Sequence, residues 1–215
     1  GRHLHLSARA GLGKTRLLRD AERRLRAMGG RVLYLRASPG SRQISYAFAA
    51  ELARALIAIP GASGVAPAVM ATILALDPSL GSTYQGSPDP SEGAEALRRR
   101  TLALADMALA LSEESPLALL LDDVHWMDHQ SLQVLAGMLP RLAGASTLVV
   151  SAARPFQGRD AVEADAELLS LAPLDESQVE ALVMSLGPLP DAPWARALVH
   201  RLHEASSGSP HLALE

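Results

Sequence analysis

A single lysine stands in this chain against nineteen arginines, and it falls within Ala8-Arg9-Ala10-Gly11-Leu12-Gly13-Lys14-Thr15. A composition so biased toward arginine would place arginine here too, unless the position needs a compact ammonium on a flexible stem. The run matches the tail of the Gly-x-x-x-x-Gly-Lys-[Ser/Thr] phosphate loop. In that loop successive backbone N–H groups and a helix N-terminus cradle phosphate, lysine reaches the outer phosphates and the hydroxyl reaches Mg²⁺. The expected nucleotide-binding segment is therefore Ala10, Gly11, Leu12, Gly13, Lys14, Thr15 and the following Arg16. The first glycine of the signature is replaced by Ala8, and a left-handed backbone there would cost its Cβ roughly 1–2 kcal/mol.

A metal-bound polyphosphate also needs carboxylates, and Leu117-Ala118-Leu119-Leu120-Leu121 runs directly into Asp122-Asp123. A continuous apolar run of this length reads as a buried parallel strand, and ligands in open α/β sheets bind at the carboxyl ends of such strands. The acids divide the work: Asp122 with Thr15 for the Mg²⁺ shell, and Asp123 for orienting or deprotonating the attacking water. The catalytic set then begins with Lys14 and Asp123.

The elements that must position these groups are legible around them. His3-Leu4-His5-Leu6 alternates at period two, so His3 and His5 fall on one side of a strand. Leu17, Leu18, Ala21, Leu25 and Met28 recur at helical spacing until Gly29-Gly30. Residues 31–36 read as a second strand, and a helix from about Ile44 to Ile59 ends at Pro60. Residues 60–93 are rich in Pro and Gly and read as a surface insertion with one short helix near 68–76; Tyr84 within it is too little to argue from. A helix over about 92–112 carries Arg98-Arg99-Arg100 near one end, most simply a solvated face. The next helix spans 131–143, with Asp128 or a neighbour as its cap and Pro140 expected to kink or shorten it. Asp175 and Gln178 form a capping-box pattern, and a further helix runs from Pro193 to about Ala205 with Trp194 in its packing and His200 and His203 as a surface pair.

Gly-Leu-Gly-Lys-Thr-Arg-Leu at 11–17 together with Leu-Leu-Leu-Asp-Asp-Val-His-Trp-Met-Asp at 119–128 resembles the STAND class of AAA+-related ATPases. Within it the chain is most similar to the ATPase modules of large LuxR-type transcriptional activators and of multidomain regulators carrying cyclase or kinase domains. Ser151-Ala152-Ala153-Arg154-Pro155, after a strand at 147–150, resembles the family's sensor segment and implies that Arg154 lies near the γ-phosphate. Leu171 to Asp175 resembles the lead into the helical lid, and Ser207-Gly208-Ser209-Pro210 resembles the Gly-x-Pro motif whose proline, here Pro210, packs near the base. The helix and Gly-Arg motif that precede the first strand in the family, and help hold adenine, do not stand before Gly1, so the chain reads as a fragment or a processed piece. The resemblance implies ATP/ADP rather than GTP as ligand and slow hydrolysis as the reaction. It also implies self-association on ATP binding and an output domain, DNA-binding or catalytic, outside this stretch.

These readings combine into one expectation. The fold class is α/β: an ASCE-type P-loop NTPase with a parallel sheet of about five strands, helices on both faces, and the acid-bearing strand beside the loop strand. Residues 1–174 form the nucleotide-binding core and 175–215 begin a small helical lid. Net charge is −3 and aromatics make up 3%, so no basic footprint or stacking platform for direct nucleic-acid contact is visible. No uncharged apolar run of membrane-spanning length occurs, and the absence of cysteine excludes disulfides and thiolate metal sites; a cytoplasmic location is expected. Three rivals remain. One is a degenerate module that binds partners and uses nucleotide structurally, and a second is a small-molecule kinase, for which no acceptor site is legible. The third is a hydrolytic metal cluster of Asp122, Asp123, His125, Asp128 and His129, which would leave Lys14 unexplained; His125 fits better as a residue that positions the loop or senses the γ-phosphate.

Overall fold

The computed structural model describes residues 1–82, 89–155, 160–190 and 192–215. Five strands make one parallel sheet: β1 (Arg2–Ser7), β2 (Arg31–Arg36), β3 (Leu117–Asp122), β4 (Thr147–Ala153) and β5 (Glu167–Ser170), in the order β2-β3-β4-β1-β5. The helices in chain order are α1 (Lys14–Ala27), α2 (Ala47–Ile57), α3 (Pro67–Leu76), α4 (Gly93–Glu114), α5 (His129–Leu142), the single turn α6 (Asp160–Glu163), α7 (Glu176–Met184), α8 (Pro193–Ser206) and α9 (Pro210–Ala213). Tyr84 lies outside the described residues.

The leucine run of β3 explains why helices cover both faces. Side chains alternate along a strand, so Leu117, Leu119 and Leu121 enter the core under α2, α3, α4 and α5, while Ala118 and Leu120 join Leu6, Val32, Ala152 and Leu18 of α1 on the other side. Each fully buried leucine contributes roughly 1.5–3 kcal/mol, and only a strand covered on both faces collects that from consecutive residues.

The acid-bearing strand is not beside the loop strand: β4 lies between β3 and β1. With β4 beside β1, the imidazoles there gain a hydroxyl partner that the apolar 117–121 run of β3 lacks, as buried polar side chains require. On β4, Ser151 Oγ sits 2.9 Å from His3 Nε2 and 2.8 Å from His5 Nδ1. His5, fully buried, also lies 3.3 Å from Glu163 Oε1 of α6.

Other boundaries shifted for local reasons. The strand before Arg154 runs on through Ala153, because Ser151, Ala152 and Ala153 pair with His5, Leu6 and Ser7. Helix α2 starts only at Ala47, leaving Ile44 exposed, since Tyr46 adopts a left-handed φ of 61° at its cap. On α1, Leu18 is buried while Leu17 and Met28 face solvent; Lys14, Ala21, Glu22 and Leu25 share the inner face instead. Helix α5 continues through Pro140 to Leu142. Proline forfeits one backbone bond, but Leu139 and Leu142 on that last turn are buried and hold it helical. Asp128 caps this helix as expected, accepting from Ser131 N at 2.9 Å.

Among the described residues of 60–93, helix α3 does not lie at the surface as the insertion reading expected. Met70, Ile73 and Leu74 of α3 belong to the main core against α4, so the stretch supplies part of the sheet's cover. Arg98 and Arg99 pair with Glu95, and Arg100 lies over the Tyr46 ring, which accounts for the triplet without a ligand. The lid begins with both halves of the Asp175/Gln178 capping box in place. Its Trp194 is exposed rather than packed, and His200 meets Glu176 and Glu204 at the surface while His203 turns to the Leu174 carbonyl. Among the described residues no helix is long and apolar enough to cross a membrane.

Burial pushes the His3 imidazole from 6.5 down to about 4, with the neighbouring His5 adding to the effect. The folded state therefore keeps His3 neutral between those values while the unfolded chain protonates, so stability is full above pH 6.5 and falls as pH drops toward 4. By urea denaturation, His3→Asn is expected to reduce the loss of stability between pH 7 and pH 4 by on the order of 2 kcal/mol, allowing for the partial exposure of the ring.

Candidate nucleotide site

The loop between β1 and α1 is shaped by two glycines. Gly11 and Gly13 have φ of +79° and +89°, and Gly13 is the N-cap of α1 without any side-chain cap. The first-turn N–H groups of a 14-residue helix are thus presented with no competing side chain and no acid in the first turn, which favours an anion there. Ala8 is not among the residues of positive φ. Its amide donates to Ala153 O at 3.2 Å and its methyl is buried, so the anticipated strain does not arise; the missing glycine was not needed at this position.

Lys14 is buried and folded back over the loop, donating to Ala8 O and Arg9 O at 2.8 Å each. Desolvation lowers the pKa of its ammonium, opposed mainly by the charge of Asp123. Thr15 Oγ1 donates to Asp122 Oδ2 at 2.7 Å, bridging from the loop across β4 to the end of β3. Asp122 is fully buried; Tyr34 OH also donates to Oδ2 at 2.7 Å, and Asp123 N donates to Oδ1 at 2.9 Å.

Asp123 leaves the strand with φ 54°, ψ 37°, a left-handed conformation that aspartate tolerates better than most residues. That turn swings its carboxylate to Arg36 at the end of β2, whose Nε and a terminal nitrogen approach Oδ2 at 2.9 and 2.8 Å. His125 lies behind, its Nδ1 accepting from Arg154 N at 3.4 Å and 3.9 Å from Asp123 Oδ1, with burial lowering its pKa.

One cavity of about 770 Å³ joins these pieces. Its walls include Ala10, Gly11, Gly13, Lys14, Thr15 and Arg16 from the loop side, Arg36, Asp123 and Arg154 from the sheet ends, and Leu174, Leu182, Pro210, His211 and Leu214 from the lid. Of the residues singled out from sequence, Leu12 does not line it, and Asp122 stands behind Thr15. The lid also touches the loop directly: Gly11 O accepts from His211 N at 3.3 Å and Ser209 Oγ at 3.4 Å, and a Cβ on Gly11 would lie 2.6 Å from that hydroxyl.

Four cationic side chains face one carboxylate around this space, which suits a polyphosphate. A Thr15 hydroxyl whose proton goes to Asp122 keeps its lone pairs for a cation, so Thr15 with Asp122 behind it fits a Mg²⁺ ion that retains several waters. The alternative metal cluster is not assembled. Asp128 is spent on Tyr46 N, Phe48 N and Ser131 N, and no group of three His, Asp or Glu is placed to hold a metal among the described residues. Arg36, Tyr34 and the lid residues Leu174, Leu182, His211 and Leu214 were not expected at the site from sequence, whereas Pro210 was. Nothing in the local pattern of a strand such as Arg-Val-Leu-Tyr-Leu-Arg marks which of its residues meets a distant acid.

Restoring the signature glycine tests the geometry of the loop. Ala8→Gly is expected to lower stability by about 0.5–1 kcal/mol in chemical denaturation, from added freedom of the unfolded chain; a gain would reveal strain at Ala8.

The AAA ATPase domain family matches residues 1–151. An uncharacterized protein of Rhizobium meliloti (strain 1021) is 27% identical over 196 residues, covering 83% of this chain and 19% of the relative, so the chain spans about a fifth of that relative's length. Among solved structures, AMPPCP-bound DnaA from Aquifex aeolicus has a TM-score of 0.54 at 14% identity, over 98% of this chain and 53% of that one. The Aeropyrum pernix ORC1 protein in complex with DNA gives 0.55 at 17%, over 99% and 52%. A signal transduction ATPase with numerous domains from Pyrococcus horikoshii, with a tetratricopeptide repeat sensor, gives 0.55 at 12%, over 97% and 26%. At such identities the structural likeness is one of fold. With a glycine-shaped phosphate loop, a buried acid at the end of β3 bonded to it, and a family match over most of its length, the chain belongs to the AAA ATPase domain family and is an AAA+-related P-loop ATPase domain.

Proposed function

We propose that this chain is the ATP-binding, slowly hydrolysing switch domain of a longer, cytoplasmic regulatory protein of the STAND type, like those of LuxR-type activators. The observation that carries the reading is the single cavity in which Lys14, Thr15, Asp123 and Arg154 meet the lid residues Pro210 and His211. Residues 1–174 act as the nucleotide-binding core and 175–215 as the start of the lid.

Phosphoryl transfer to water asks for positioning and charge stabilisation more than covalent chemistry. The Ala10 to Thr15 amides hold the β-phosphate, Lys14 leaves the loop carbonyls to bridge β and γ, and Arg154 meets the γ-phosphate. Bound Mg²⁺ would neutralise phosphate charge, held by Thr15 with Asp122 behind it. Asp123 orients or deprotonates water once its carboxylate is released from Arg36. That pairing occupies Oδ2 in the present arrangement and accords with slow turnover.

The lid closes the same cavity and bonds to Gly11, so nucleotide state is transmitted to whatever follows the lid. We take the output to be ADP-held closure and ATP-dependent self-association or release of an output domain outside this stretch. The share of the Rhizobium meliloti relative that lies beyond the match supports a larger protein.

Calorimetry of the chain with ATP and Mg²⁺ is expected to show saturable binding, weakened about 100-fold in Lys14→Ala, which removes charge-assisted bonds of roughly 1.5–3 kcal/mol each. No binding by the wild type would overturn the reading in favour of a module that serves only as an interaction scaffold. In a phosphate-release assay Asp123→Asn is expected to keep ATP binding and lose about 100-fold in turnover. Unchanged hydrolysis would remove Asp123 from the catalytic role.

A further inference from the structure

Asp122 is out of water, and a buried carboxylate keeps one orientation only where donors fix it. Two of its three donors share Oδ2: the Thr15 hydroxyl and the Tyr34 phenol, both at 2.7 Å. Neither the phosphate-loop pattern nor the acid pair calls for a tyrosine here, and Tyr34 does not line the cavity. It stands on β2, paired with Leu120 of β3, so its hydroxyl reaches the acid from the adjacent strand. Its ring is held from above by Arg19 of α1, whose guanidinium carbon lies 3.4 Å from the ring centroid. Arg19 is tied at 2.9 Å to Glu22, which also takes Arg26 at 2.9 Å. The phenol is thus clamped between helix and sheet with its proton aimed at one oxygen.

A threonine hydroxyl has one proton and two lone pairs, and where the proton goes decides where the lone pairs face. Asp122 can take the Thr15 proton only while Oδ2 stays in place, and the backbone bond to Oδ1 leaves the carboxylate free to tilt about that contact. Resting on the nucleotide-binding reading, we propose that Tyr34 is a positioning residue for the Mg²⁺ shell: it pins Asp122 Oδ2 so that Thr15 donates to it and turns its lone pairs toward the cation. Groups that orient metal ligands from behind commonly account for 10–100-fold in metal affinity.

The test uses the full chain, with ATP titrated calorimetrically in EDTA and then across a Mg²⁺ series, for wild type, Tyr34→Phe and Arg19→Met. Tyr34→Phe is expected to leave metal-free ATP affinity within about twofold and to raise the Mg²⁺ needed for half-maximal enhancement about 10-fold. Arg19→Met keeps the phenol but loosens its clamp, and is expected to shift the Mg²⁺ response in the same direction as Tyr34→Phe by about twofold or less. Three results overturn the proposal: a Mg²⁺ response in Tyr34→Phe equal to wild type, an equal fall in metal-free and Mg²⁺-supported affinity, or a variant that melts below the assay temperature. Each would assign Tyr34 to the fold alone. A wild type that binds no ATP would instead refute the nucleotide reading itself, whereas one that binds ATP without responding to Mg²⁺ would overturn the proposed Mg²⁺ shell, so the wild-type control separates both cases from failure at Tyr34.

Discussion

The bond from Thr15 to Asp122 is the contact on which the arrangement depends. It spans from the loop after β1 to the end of β3, over the intervening β4, and its acceptor is a carboxylate that no water reaches. A buried charge without donors would cost several kcal/mol, so the sheet must deliver donors to that spot. It does so from three places: the loop through Thr15, the neighbouring strand through Tyr34, and the strand's own continuation through Asp123 N. Strand order, loop shape and the left-handed turn at Asp123 are thus conditions of one buried anion.

Electrostatics around the cavity follow from the same constraint. Asp122 is consumed behind the wall, which leaves Asp123 as the acid facing the space among Lys14, Arg16, Arg36 and Arg154. Excess positive charge in a concave, partly desolvated site is what a polyphosphate completes. In the present arrangement the same groups satisfy one another: Lys14 bonds to loop carbonyls and Arg36 to Asp123, so both must exchange partners when an anion enters. Contact of Ser209 and His211 with the Gly11 carbonyl makes the lid a party to that exchange, because the loop cannot shift there without the lid.

Local patterns carried a good part of this. The strand, glycine loop and helix around Lys14, the buried strand ending in two acids, the Asp128 cap and the Asp175/Gln178 box were all readable, since each is an interaction within a few residues. What depends on partners far along the chain did not follow from local spacing. Leu17 and Met28 share the helical period but face water, because Glu22, buried by its arginine pairs, takes part of the inner face of α1. The 60–93 stretch looked like an appendage by composition, yet Ile73 and Leu74 complete the core over α4.

By itself, then, the sequence determined the chemistry available: one ammonium in a glycine loop, a hydroxyl beside it, two acids at a strand end, and an arginine after another strand. Those are properties of residue type and short-range spacing, governed by backbone sterics, capping and periodicity. Only the tertiary structure decided which strand separates loop from acids, that Tyr34 and Arg36 each hold one of those acids, and that the lid meets the loop at Gly11. The physical reason is that buried polar groups must be satisfied wherever they end up. Ser151 answers the imidazoles of β1, and Tyr34 answers Asp122, from positions that no local pattern in the chain distinguishes.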